Sequence, residues 1–153
     1  MTDINKLWYR VSKSAVGAVF NVQGAILEVI LGVPPLQTMG RVISIKLYLK
    51  VLHDSDDIHF DFVRTQLYEM NPTVLCHLRD VQKFLIWKIE HFSTEAQAFE
   101  LSDIAQRNLD QILLLPQKTY KYTKGMIQQF TELLWQESIQ NLLMTQGQTL
   151  IHL

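Results

Sequence analysis

The sequence predicts an all-α fold, a single helical bundle or irregular array of about five to six helices over residues 1–147, with a short tail at 148–153. Three observations predict it. Apolar residues recur three or four apart in nearly every segment, which places them on one helical face. Proline, glycine and aspartate or asparagine punctuate the chain at intervals of a helix's length. Apolar residues make up 48% of the 153-residue chain and charged residues 19%, enough apolar material for one core and too much for a disordered segment.

The first helix is expected from about Asn5 to Leu31, with Leu7, Val11, Ala15, Val19, Val22, Ile26 and Val29 as its buried face and a break at Gly17 or Gly24. Gly32-Val33-Pro34-Pro35 ends it, because glycine accepts the left-handed cap geometry and proline cannot donate to the helical ladder. The apolar stretch from Ala15 to Val33 is interrupted by Asn21, Gln23 and Glu28, which suits a core helix and not a membrane span. Met39 to His53 is apolar around most of its circumference and is expected to be central. Its β-branched residues would also suit a strand, but its length and the helical spacing of Lys46, Lys50 and His53 favour a helix.

Asp54-Ser55-Asp56-Asp57 suits a helix N-terminus, where backbone N–H groups and the dipole attract negative charge. The helix it starts would bury Phe60, Val63, Leu67 and Met70, and Asn71-Pro72-Thr73 would close it and open the next. Val74, Leu78, Val81, Leu85 and Phe92 define the buried side of a fourth helix, with Arg79, Lys83 and Glu90 opposite. The signal weakens from Thr94 to Leu101. Ser102-Asp103 then reads as the cap of a shorter helix that runs to about Leu115 and stops at Pro116. The last long helix is expected to start between Thr119 and Thr123 and reach Thr145. Met126, Phe130, Leu133 and Leu134 share one side of it, while Trp135, Ile139, Leu142 and Leu143 point elsewhere, as in a helix that bends or meets two partners.

Catalytic chemistry finds no foothold in this pattern. His53, His59, His77, His91 and His152 are scattered singly, so neither a metal site nor a haem pocket with facing imidazoles at His59 and His91 is expected. Asp57, His59 and Asp61 read as a cap and a solvated edge. Cys76, the only cysteine, is flanked by Leu75 and by His77 beside Leu78, as in a helix interior, and reads as a buried, inert thiol; His77 is the neighbour that would have to activate it. Neither a nucleophile elbow nor a glycine-rich phosphate loop is present, so no enzyme activity, cofactor or metal is expected. A single cysteine, and no secretory pattern after Met1-Thr2-Asp3, point to an intracellular protein, cytoplasmic or nuclear, with no membrane partner.

The net charge of -1 leaves any polyanion affinity to local patches. Lys6, Arg10 and Lys13, at i, i+4 and i+7, form a basic stripe expected opposite the apolar face of the first helix, and Arg41, Lys46 and Lys50 flank the second. Between Gln117 and Lys124, Lys118, Lys121 and Lys124 alternate with Tyr120 and Tyr122. Cations neutralise phosphates and aromatic faces stack on bases, so this segment suits RNA or single-stranded DNA. If it is helical, its three lysines share one edge with the tyrosines beside them.

The run Ala25-Ile26-Leu27-Glu28-Val29-Ile30-Leu31-Gly32-Val33-Pro34-Pro35-Leu36, followed by Arg41-Val42-Ile43-Ser44-Ile45-Lys46-Leu47-Tyr48-Leu49-Lys50-Val51-Leu52, resembles the region after the polymerase palm in non-LTR retrotransposon reverse transcriptases. Val81-Gln82-Lys83-Phe84-Leu85-Ile86-Trp87-Lys88, Tyr122-Thr123-Lys124 and Leu134-Trp135-Gln136 are similar to that family's C-terminal part. The resemblance implies a thumb-like helical module. The family's catalytic aspartates belong to a tyrosine-x-Asp-Asp hairpin, whereas Asp56-Asp57 lies between two helical patterns, so no polymerase activity is implied. Two functions therefore compete: a module that holds nucleic acid or supports a polymerase, and a protein-interaction or self-association module using Trp8, Trp87 or Trp135.

Overall fold

The chain is all-α, as the sequence predicts. The computed structural model describes residues 3–18, 24–54, 56–92 and 95–151, and the side chains of these except 25, 95–100 and 145–151. Among them are eight α-helices and one 3-10 turn. The chain divides into two compact units, Met1–Gly40 with Thr131–Leu153, and Arg41–Phe130.

In the first unit the expected long helix is two: α1, Asp3–Val16, and α2, Gly24–Leu31. Gly17 (φ 76°) and Gly32 (φ 68°) end them in the left-handed conformation. At each end two backbone bonds close the cap, Gly17 to Ser14 and Ala18 to Lys13, then Gly32 to Val29 and Val33 to Glu28. The expected buried face is not the one covered. Leu7, Val11, Ala15, Ile26 and Val29 are exposed, whereas Ser12 and Leu27 are buried; Val19 and Val22 lie outside the described residues. On α1 the covered side runs through Asn5, Trp8, Tyr9 and Ser12, and Tyr9 approaches the backbone of α2 at Gly24.

The second unit has the better-formed core. Helix α3, Leu36–His53, enters it at Arg41 and buries Val42, Ile45, Leu49, Val51 and Leu52, but Ile43 and Leu47 face outward. Helix α4, Ile58–Tyr68, is capped by Asp57, whose carboxylate accepts the His59 backbone N–H at 2.8 Å. It buries Phe60, Val63 and Leu67. Met70, expected beside them, is instead exposed and left-handed (φ 56°), the place glycine holds after α1 and α2. Asn71 accepts from the Thr73 and Val74 N–H groups and starts α5, Pro72–Phe92.

Helix α5 is the axis of this core, burying Val74, Leu78, Val81, Phe84, Leu85, Trp87 and Ile89, while Phe92, expected with them, is exposed. The Phe84 ring packs edge-on against Phe130 at 5.2 Å, and Trp87 lies 5.3 Å from the same ring. Arg41 on α3 donates a two-pronged pair of bonds to Asp80 on α5, at 3.2 and 2.9 Å. Cys76, expected to be buried, is exposed.

Helix α6, Glu95–Gln106, occupies the stretch where the sequence signal is weakest, so Ser102-Asp103 lies inside a helix and not at its start. Asp103 there accepts from Arg107, and Gln82 of α5 donates to the carbonyls of Ile104 and Arg107. A short α7, Leu109–Ile112, a 3-10 turn, Gln117–Tyr120, and α8, Lys124–Ile151, complete the chain. The backbone is therefore helical through Gly147 and into the expected tail. No helix is long and apolar enough to cross a membrane among the described residues.

Candidate polyanion-binding cleft

The lysine and tyrosine segment is not a continuous helix, so the single lysine edge that a helix would give does not form. Pro116 starts a 3-10 turn that closes with Thr119 N–H on the Pro116 carbonyl at 2.8 Å, and the chain is extended at Lys121 before α8 begins at Lys124. Lys118, Lys121 and Lys124 thus fall in a turn, an extended strand-like residue and a helix start, all exposed. Thr123 caps α8 by accepting the Met126 N–H.

Tyr120 is a core residue and not a stacking platform: it is 1% exposed, and its hydroxyl donates to the Ile112 carbonyl. Burial raises its hydroxyl pKa well above the usual tyrosine value. Tyr122 keeps 37% exposure and can offer a ring face.

What fixes the segment is a residue that charge pattern alone does not mark. Lys88 of α5 donates from Nζ to the carbonyls of Thr119 at 2.6 Å and Lys121 at 2.7 Å. A cation satisfying two carbonyls holds the turn and the extended residue against the helix. The sequence signal that could have found it is a lysine one position after the buried Trp87, on the flank of an otherwise apolar run.

The segment so held meets the end of α3. Leu49, Lys50, His53, Tyr120, Lys121 and Tyr122 line a cleft of about 320 Å³. Lys50, expected on the polar edge of its helix, is thereby brought beside Lys121 and Tyr122, and His53 joins them. Lys46 shares the exposed side of α3 with Lys50 one turn away but does not line the cleft. Arg41 is committed to Asp80. Asp57, at the head of α4, is held below the usual carboxylate range chiefly by the His59 backbone N–H, then by the His59 ring, with a weaker contribution from Lys50. Lys50 therefore shares its field between the cleft and that cap.

Lys6, Arg10 and Lys13 belong to the first unit. They lie along one side of α1, Lys6 and Arg10 exposed and Lys13 half-exposed, as the spacing predicts. The side they share adjoins the exposed Ile4, Leu7 and Val11, so the stripe does not lie opposite a covered apolar face.

Trp8 and Trp135, considered as partner-seating aromatics, are half-buried, each with an indole N–H that is buried without an acceptor among the described residues; Trp87 is in the core. No group of three or more His, Cys, Asp or Glu side chains that could hold a metal ion occurs among the described residues. Compared with family models, curated proteins and solved structures, the chain matches none.

Proposed function

We propose that the protein is a non-catalytic binding module that holds a single nucleic-acid strand, RNA or single-stranded DNA, in the cleft between the end of α3 and the 3-10 turn. One observation carries this: two lysines from distant parts of the chain, Lys50 and Lys121, line one cleft with the exposed Tyr122. Lysines neutralise phosphates, and the tyrosine ring stacks on a base whatever its identity. Lys118 and Lys124, three residues to either side of Lys121, extend the positive charge along the segment. The resemblance to the post-palm region of non-LTR reverse transcriptases supports the same role, next to a polymerase whose catalytic residues lie elsewhere.

A gel shift with single-stranded RNA and DNA over a range of salt tests this. Lys50→Ala with Lys121→Ala should reduce the salt slope by about 1.4, from roughly 0.7 per phosphate contact, and Tyr122→Ala should weaken binding by about 1 to 3 kcal/mol. Lys6→Ala, Arg10→Ala and Lys13→Ala together serve as the comparison. A cleft variant that binds as tightly as the parent, with the same slope, refutes the assignment. So does a parent that binds no strand more tightly than about 10⁻⁴ M.

A second function is favoured by an adjoining surface of the same unit, which shares Lys50 with the cleft. Ile43 and Leu47 of α3 and Ile58 and Phe62 of α4, 58% to 79% exposed, form two i, i+4 rows beside a groove of about 310 Å³ that Tyr48, Val51 and Val63 help to line. Lysines flank the α3 row, at Lys46 and Lys50, and carboxylates precede the α4 row, at Asp54 and Asp56. Such a face is self-complementary under a twofold axis, which makes a second copy of this chain its partner. Sedimentation at about 100 μM should show dimers that Leu47→Glu or Phe62→Glu dissociates; a monomeric parent refutes self-association.

A further inference from the structure

We propose that the cavity between α1 and α2 is a binding site for a small organic ammonium ion. The cavity is about 570 Å³, within the size range of small-molecule sites, and belongs wholly to the first unit, so it is independent of the cleft. Its lining combines two aromatic residues, Trp8 and Tyr9, with one carboxylate, Glu28, and the polar side chains of Asn5, Ser12 and Gln37.

The chemistry of that lining selects the charge of its occupant. Aromatic faces attract a cation through the ring quadrupole, tryptophan most strongly, and a carboxylate adds a full negative charge. No lysine or arginine lines the cavity among the described residues, so an anion would meet the Glu28 carboxylate with no cation to offset it. The Glu28 side chain makes no hydrogen bond or ion pair among the described residues, and half-burial without a counter-charge raises its pKa above the usual range. An ammonium ion supplies the missing charge, while its hydrocarbon part lies against the rings and Leu27. A neutral ligand of the same shape gains only the second of these interactions.

Calorimetric titration of the full chain tests the site with phenethylamine and choline, each beside a neutral counterpart, phenethyl alcohol and dimethylbutanol. At least one ammonium should bind with a Kd below about 1 mM, and its neutral counterpart at least about tenfold more weakly. Glu28→Gln should weaken ammonium binding about tenfold or more while leaving the urea midpoint within error of the parent. Should that variant fail to fold, indole N–H resonances of the parent decide: the Trp8 signal should shift with the ammonium and not with the neutral compound. Equal binding of charged and neutral members, undiminished binding by folded Glu28→Gln, or no ammonium binding up to about 10 mM overturns the proposal.

Discussion

Replacing Lys88 with methionine isolates the tether that holds the cleft's outer wall. Methionine keeps most of the aliphatic stem and removes the ammonium, and with it the bonds of 2.6 and 2.7 Å to the Thr119 and Lys121 carbonyls. A hydrogen bond from a charged donor contributes about 1.5 to 3 kcal/mol net, so two set an upper limit of about 3 to 6 kcal/mol. The bond to Lys121 is exposed, and water can replace the donor on both carbonyls, which brings the expected loss to about 2 kcal/mol. With an m-value near 2 kcal/mol/M, the urea midpoint should fall by about 1 M at unchanged m. Amide exchange should quicken through residues 117–123, and on the proposed function oligonucleotide affinity should fall because Lys121 and Tyr122 lose their fixed positions. Lys118→Met removes the same charge from an exposed site without a tether and should change stability by less than about 0.5 kcal/mol. If Lys88→Met costs no more than Lys118→Met, the two short bonds do not hold the segment and the cleft has no fixed outer wall.

Three further experiments probe the frame around it. Tyr120→Phe should cost about 1 to 2 kcal/mol at neutral pH by leaving the Ile112 carbonyl without its donor. Because burial raises the tyrosine pKa in the folded state, the parent should lose stability as pH climbs past about 10, where the unfolded chain ionises first, and the variant should show a shallower loss in alkaline urea titrations. Met70→Gly should stabilise by about 0.5 to 1 kcal/mol in urea, since it relieves a left-handed backbone at a side chain that is 70% exposed; destabilisation would contradict the conformation. A double-mutant cycle on Arg41→Ala and Asp80→Ala should return a coupling of about 1 kcal/mol, and Arg41→Lys should recover less than half of it because lysine cannot present the two-pronged geometry.

The parts of the fold legible in the sequence are those where local chemistry decides alone. Gly32 before two prolines, Asp57 before Ile58, and Asn71 before Pro72 each stop or start a helix through backbone geometry and capping, and each does so in the structure. Most of the α3, α4 and α5 core follows from spacing, Ile43, Leu47, Met70 and Phe92 excepted, because each helix there has neighbours to bury most of its stripe. Spacing fails at α6, where Ser102-Asp103 has the chemistry of a cap but Glu95 to Leu101 already forms a helix ahead of it.

The cleft and the apolar surfaces expose a deeper limit of pattern reading. Periodicity states which residues share a face, and whether that face is covered depends on which other helix arrives there. Ile4, Leu7 and Val11 share a face of α1 as cleanly as Phe60, Val63 and Leu67 share one of α4, yet the first set is exposed and the second buried. The same indeterminacy hides Tyr120, whose neighbours Lys118, Lys121 and Tyr122 are solvent-facing: a 3-10 turn rotates one residue inward where a helix would have presented a continuous edge. It also hides the meeting of Lys50 with Lys121, since a contact between residues so distant in the chain leaves no periodic trace. Local patterns thus supply charges and rings, while long-range packing, anchored here by Lys88, decides which of them come to lie side by side.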